Sequence, residues 1–243
     1  MKKVLITVVG PTAIGKTKLA IDLARYFKTE VISADSRQFY KEMSIGTAVP
    51  SEQELESVPH HFIQHKSIHE TYNVGDFEKD SLKILKELFK KHDYVVMVGG
   101  SGLYIDAVTQ GLHNFPEVDK KKRANLNSRL KKEGIEVLQN QLKELDPKYY
   151  AKVDIQNPHR IIRALEICLG TGKTYSYFLN KKRLPREFCV IMVGLSTERS
   201  VLYDKINKRV DNMIENGLVE EARSLYKHKH VNALNTVGYT ELF

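Results

Sequence analysis

Apolar positions recur along this chain in two registers. Val4-Leu5-Ile6-Thr7-Val8-Val9 is a nearly unbroken apolar run, the length of a strand buried on both faces. Leu19, Ala20, Leu23, Ala24 and Phe27 then recur at the spacing of one helical face. Glu30-Val31-Ile32-Ser33 reads as a second short strand. Residues 76–91 set Phe77, Ile84, Leu85, Leu88 and Phe89 on one side of a helix, and Tyr94-Val95-Val96-Met97-Val98 follows as a third strand. From residue 115 to about 182 glycines thin out and the helical period dominates. Asn157-Pro158 is a helix start, a capping side chain followed by proline in the first turn, with Gly170 as its stop. Phe188-Cys189-Val190-Ile191-Met192-Val193 returns to strand character. A long helix from about Glu198 turns Leu202, Ile206, Val210 and Met213 inward and breaks near Gly217. Strands alternating with helices predict a parallel sheet with helices on its faces. Because strand character resumes after the helical stretch, that stretch is an insertion. The expected organisation is a core of residues 1–114 and 186–243 and a helical insertion subdomain of residues 115–185.

The joint between the first strand and helix carries chemistry. Gly10-Pro11-Thr12-Ala13-Ile14-Gly15-Lys16-Thr17 reads G-x-x-x-x-G-K-T, the phosphate-binding loop, in its expected setting between strand and helix. Glycines let the backbone wrap a phosphate, and successive N–H groups point inward at a helix N-terminus. Lys16 adds a point charge, and the Thr17 hydroxyl is placed for a magnesium ion. The fold class is therefore α/β, a P-loop NTPase-like parallel sheet flanked by helices. The loop does not name the reaction, because kinases, ATPases, GTPases and transferases with a diphosphate leaving group all use it.

Residues just past strand C-termini face the ligand crevice of an open parallel sheet. Asp35 and Ser101 occupy such positions, in Asp35-Ser36-Arg37-Gln38-Phe39-Tyr40 and Gly99-Gly100-Ser101-Gly102. A carboxylate at Asp35 serves as an outer partner of magnesium, as a general base or as a helix N-cap. Ser36 and Gln38 beside it make a hydrogen-bonding set suited to a nucleobase edge.

Charge narrows the partner. The net charge of +8 over 243 residues favours a polyanion, and Lys120, Lys121, Lys122, Arg123, Arg129, Lys131 and Lys132 concentrate it in one helical stretch. Such a run is otherwise a solvated face. Arg160 and Arg163 share a helix face, with Glu166 three residues beyond Arg163. His60, His61, His65 and His69 lack a cysteine or a convincing third ligand for zinc, and are expected to bond within the fold. Gly170-Thr171-Gly172-Lys173-Thr174 imitates a phosphate loop without a preceding strand and is set aside. Cys168 and Cys189 sit in apolar runs, as reduced core residues do. No run reaches membrane-spanning length, and the apolar run after Lys2-Lys3 is too short for a signal peptide. A cytoplasmic monomer is the expectation.

The motif order resembles the bacterial tRNA dimethylallyltransferases. It is carried by G-P-T-A-x-G-K-T at 10–17, D-S-x-Q-x-Y at 35–40, I-G-T-A-x-P at 45–50 and H-H at 60–61. G-G-x-G-L-Y at 99–104, N-P-x-R-x-x-R-A-L-E at 157–166 and G-Y at 238–239 complete it. The resemblance implies transfer of a dimethylallyl group from its diphosphate to the exocyclic amine of the adenosine beside the tRNA anticodon. It implies Mg2+ as cofactor, residues 10–17 holding the diphosphate, Asp35 as general base, and Ser101 and Arg209 beside the reacting groups. It further implies that Asp35, Ser36, Arg37, Gln38, Ser101, Arg123, His159, Arg160, Ile161, Ile162 and Arg163 contact tRNA. The chain departs from the family pattern with Ser101 for threonine, Val49 for lysine, Gln64 for aspartate and Lys205 for arginine. A basic segment with a tryptophan, usual in the family after this point, is absent from these 243 residues. A small-molecule P-loop kinase accounts for the loop and Asp35 but not for the basic helical insertion. Transfer to free adenine nucleotides leaves the 120–132 stretch unused, and a nucleotide-gated RNA-binding module reduces Asp35 to a cap.

Overall fold

A computed structural model describes residues 2–243. The chain forms two compact units, one built from residues up to Gly111 together with Pro185–Phe243, the other from Leu112–Leu184.

In the first unit the elements run β1 (Val4–Val9), α1 (Lys16–Tyr26), β2 (Val31–Ser33), α2 (Glu52–Ser57), β3 (His60–His61), α3 (Val74–Lys91), β4 (Tyr94–Val98) and α4 (Gly102–Gln110). Among the described residues the sheet has five strands in the order β3-β2-β4-β1-β5, where β5 is Cys189–Gly194, and every pairing is parallel. β1 lies inside the sheet, with Val4 in register with Tyr94 on one side and Cys189 on the other. This is why its sequence is apolar at nearly every position. Alternate side chains leave on opposite faces. Leu5, Ile32, Val95 and Met97 join Phe39, Phe77 and Leu85 in one core layer, while Val8, Val31, Val96 and Val98 meet Ala20, Ile21 and Ala24 of α1 in the other.

Two expectations from the hydrophobic pattern change, on α1 and on α10, and the one for His60 and His61 holds. On α1, Ile21 is buried and Leu19 and Leu23 only partly so, because the face against the sheet is centred one position later. His60 and His61 do bond within the fold, Nδ1 of His60 lying 2.7 Å from Val58 O and Nε2 of His61 2.7 Å from Glu30 Oε2, but they also form edge strand β3. After β5 come α10 (Arg199–Glu215) and α11 (Leu218–Leu225). On α10 the half-buried line is Leu202, Ile206, Arg209 and Met213, and Val210 is 44% exposed. The helix thus turns an arginine inward where the apolar pattern places a valine.

The second unit is helical: α5 (Lys120–Glu133), α6 (Ile135–Leu145), α7 (Pro147–Tyr150), α8 (Pro158–Thr171) and α9 (Tyr175–Leu179). Leu126, Leu138, Leu142, Ile161, Ile162 and Leu165 form its core. Asn157 caps α8 by accepting the Arg160 N–H. The helix does not stop at Gly170. It runs to Thr171 and closes on Gly172 at φ 68°, while Gly170 packs so close to Val118 that a Cβ there would lie 2.2 Å from Cγ1. Buried Asp146 joins α7 to α9, accepting the Tyr149 and Ser176 N–H groups and the Ser176 hydroxyl. Among the described residues no helix is long and apolar enough to cross a membrane.

Candidate active site

β1, β2 and β4 end together, and their following loops meet. The approach is close: a Cβ on Gly99 would lie 2.3 Å from Ala34 O, so only glycine lets the end of β4 pass the end of β2. Ala34 N donates to Val98 O at 2.7 Å across that crossing. As a result Ser36 N donates to Ser101 Oγ at 3.0 Å, and Ser101 Oγ donates to Ser36 Oγ at 3.1 Å. Two motifs 65 residues apart are thereby one hydrogen-bonded pair.

The loop Gly10–Gly15 turns from β1 into α1 with Ala13 and Gly15 at φ 59° and 103°. Helix α1 starts at Lys16, so its first N–H groups open toward the loop. Lys16 Nζ donates to Pro11 O at 2.7 Å, folded back across the loop. A cavity of about 300 Å³ lies against the loop, lined by Thr12 to Lys18, Asp35, Gln38, Gly100 and Arg209. Arg209 reaches it because it sits on the inner line of α10.

The charges in this cavity are unequal. Burial pulls the Lys16 pKa below the ordinary lysine value, Asp35 pushes it back up and Arg209 adds to the depression. Arg209 is likewise lowered by burial and opposed by Asp35. Two cations face one carboxylate in a partly desolvated space, which favours an anionic occupant.

Asp35 Oδ1 accepts the Arg37 N–H at 3.0 Å in a local turn. No helix begins there, so the helix-cap reading has nothing to cap. Thr17 and Asp35 put two hard oxygen donors on one cavity. That set fits magnesium, which takes one or two protein oxygens and fills its shell with phosphate and water. Among the described residues no group of three or more His, Cys, Asp or Glu side chains gathers as a metal cage.

The remaining candidates separate. Gln38 lines the cavity, but its amide is committed: Nε2 donates to Thr47 O and Ala48 O at 3.2 and 2.9 Å, and Oε1 accepts from Ser33 Oγ. These bonds fix the 47–48 backbone against it. The Arg37 guanidinium donates to the carbonyls of Asn232, Ala233 and Asn235, tying its loop to that later segment. In the second unit His159 and Arg160 are exposed. Glu166 Oε2 holds both Arg123 Nη2 at 3.1 Å and Arg163 Nη1 at 2.7 Å, with Glu166 itself almost buried. Arg163 also lies 5.4 Å from the Phe115 ring centre. Ile161 and Ile162 are corrected: at 0% and 4% exposure they are core, and their side chains cannot meet RNA. Their neighbours in sequence turn outward because α8 is amphipathic. Sequence reading missed His60 as a cavity residue. Burial lowers its pKa, which favours the neutral ring. It opens β3, a two-residue strand of histidines with no apolar period to reveal it.

The family model described as IPP transferase matches residues 38–243. A curated relative, the tRNA dimethylallyltransferase of Christiangramia forsetii, is 62% identical over 100% of this chain and 80% of its own length. Among solved structures, the tRNA isopentenylpyrophosphate transferase of Bacillus halodurans is similar with TM-score 0.68 and 38% identity, over 100% of this chain and 76% of that one. A eukaryotic dimethylallyltransferase acting on tRNA is similar with TM-score 0.77 and 31% identity, over 93% of this chain and 56% of that one.

Proposed function

The chain belongs to the IPP transferase family, and from that premise we propose that it is a tRNA dimethylallyltransferase. It moves a dimethylallyl group from dimethylallyl diphosphate to the exocyclic amine of the adenosine adjacent to the anticodon and releases diphosphate. The observation that carries the reading is the cavity where Lys16 and Arg209 face Asp35 beside Thr17.

The chemistry follows from those groups. The loop N–H groups and Lys16 hold the diphosphate, Lys16 exchanging Pro11 O for a phosphate oxygen. The adenosine amine attacks the allylic carbon. A C–N bond forms as the C–O bond breaks, and the bonding pair leaves with the diphosphate. Lys16 and Arg209 oppose the charge growing on that leaving group. Asp35 accepts one hydrogen of the amine as positive charge develops on nitrogen. Ser36 and Ser101, already bonded to each other, present hydroxyls to the base edge. Thr17 would hold a magnesium ion, which when bound would supply further neutralisation of the leaving group. An anticodon-loop adenine has to leave its stack to react, as in other base-modifying enzymes. His159, Arg160, Arg123 and Arg163 meet the phosphate backbone in this reading. The protein acts as a cytoplasmic monomer.

The test is incubation with labelled dimethylallyl diphosphate and unmodified tRNA, with ATP cleavage followed in parallel. Label carried by tRNA supports the reading. ATP cleavage with phosphoryl transfer to a small molecule, and no labelled tRNA, replaces it with a kinase.

A further inference from the structure

We propose that Glu221, on α11 and outside the cavity, is a positioning residue that sets the cavity wall formed by residues 44–50; the proposal rests on the donor site assigned above. The wall segment has neither helix nor strand, and Ala48 and Pro50 line the cavity from it. A segment without regular structure needs other partners for its backbone. Glu221 supplies them on the donor side. Its carboxylate accepts three successive backbone N–H groups, from Ser44 at 3.0 Å, Ile45 at 2.9 Å and Gly46 at 3.0 Å. Gln38 supplies the acceptor side, donating to Thr47 O and Ala48 O. Three adjacent N–H groups turned onto one anion make a nest, and charge-assisted bonds of this kind are about twice as strong as neutral ones.

A second residue holds Glu221 in place. The Tyr239 hydroxyl donates to Glu221 Oε1 at 2.6 Å, and the Tyr239 side chain is fully buried. Burial and the carboxylate both push the phenol pKa well above its usual value, so it remains a donor. Gly46 completes the fit: a Cβ there would lie 2.7 Å from the Tyr239 ring and would force it off Glu221. The same stretch of chain gives the carbonyls of residues 232, 233 and 235 to Arg37. The stretch from Glu221 to Tyr239 therefore grips both the loop that carries Asp35 and the loop that carries Ala48. Glu221 does not line the cavity. It acts by holding the N–H side of a wall whose carbonyl side is held by a cavity residue.

The experiment compares Glu221→Gln and Tyr239→Phe with the unaltered 243-residue chain. Gln keeps the shape of Glu but offers one oxygen and an NH2 that opposes the backbone N–H groups. The dissociation constant for dimethylallyl diphosphate is read by calorimetry, and KM for donor, KM for tRNA and kcat by steady-state transfer. Loss of folded enzyme lowers kcat and leaves both KM values alone. Displacement of the wall instead weakens donor binding about tenfold in Glu221→Gln, the loss of roughly one charge-assisted bond, with tRNA KM within about twofold. Tyr239→Phe, which removes one of the bonds on Glu221 and keeps the ring, gives a smaller shift in the same direction. It carries the test if Glu221→Gln lacks a cooperative melt. Unchanged donor affinity in the folded variants overturns the proposal. A wild-type chain that binds the donor and transfers nothing overturns the transferase reading instead, and calorimetry still decides on Glu221.

Discussion

Lys16 Nζ donates to Pro11 O at 2.7 Å, so the cation of the phosphate loop is bonded to a carbonyl of that same loop. Burial leaves the ammonium partly desolvated. In the proposed reading, diphosphate binding exchanges this neutral carbonyl for an anion. Lys16→Met should weaken inorganic diphosphate binding about ten- to a hundredfold, the value of one charge-assisted hydrogen bond, as measured by calorimetry.

The depressed Lys16 pKa gives that affinity a pH dependence. Bound diphosphate favours the protonated amine, so binding takes up a proton wherever the free amine has lost one. Affinity is therefore full below the lowered pKa and falls as pH rises through it, before the range of an ordinary lysine. Titrations of the wild type from neutral to alkaline pH should show this fall, and Lys16→Met should remove it.

Asp35→Asn separates chemistry from binding. Loss of a general base should lower transfer about 10²- to 10⁴-fold. Asp35 is also the anion that faces Lys16 and Arg209, so its removal should tighten diphosphate binding. Single-turnover transfer and calorimetry on one preparation measure both. A helix cap would predict neither effect.

In the helical unit α8 divides its residues between outside and inside. His159→Ala and Arg160→Ala should weaken tRNA binding with an unchanged melting temperature, and Arg160→Ala should lower the salt slope by about one. Ile161→Ala should do the reverse, costing about 2–5 kcal/mol of stability as a core truncation while the folded fraction binds tRNA normally. Melting curves and filter binding at several salt concentrations distinguish the two classes.

Glu166 links two of the arginines expected to meet RNA. With its carboxylate almost buried between them, Glu166→Ala leaves two guanidinium groups without their acceptor. We expect a loss of about 1–3 kcal/mol of stability, read by thermal melting.

What was legible in sequence was whatever local rules govern. Asn157 followed by proline starts α8 because capping is decided within four residues. Ser36 and Ser101 meet because each lies just past the end of a parallel strand, and topology brings those loops together. The errors have physical causes. Gly170 looked like a helix stop, yet the lack of a Cβ serves packing against Val118. β3 is a pair of histidines with no apolar period. On α10 the expected line runs through Val210, while the half-buried line runs through Arg209, a charged residue that lines the cavity. Glu221 meets residues 44–46 from 175 to 177 positions away, and Arg37 meets Asn232 from 195. Pairings of that range have no local signature. The G-Y at 238–239 was visible only as a motif, and its reason lies in the bond from Tyr239 to Glu221.

The measurement closest to the central claim is mass analysis of nucleosides digested from tRNA after reaction with dimethylallyl diphosphate, for the wild type and Asp35→Asn. The account predicts adenosine carrying the five-carbon group on its exocyclic amine, derived from the position beside the anticodon, and its near absence with Asp35→Asn. Unmodified adenosine with the wild type, or equal product from both proteins, would contradict it.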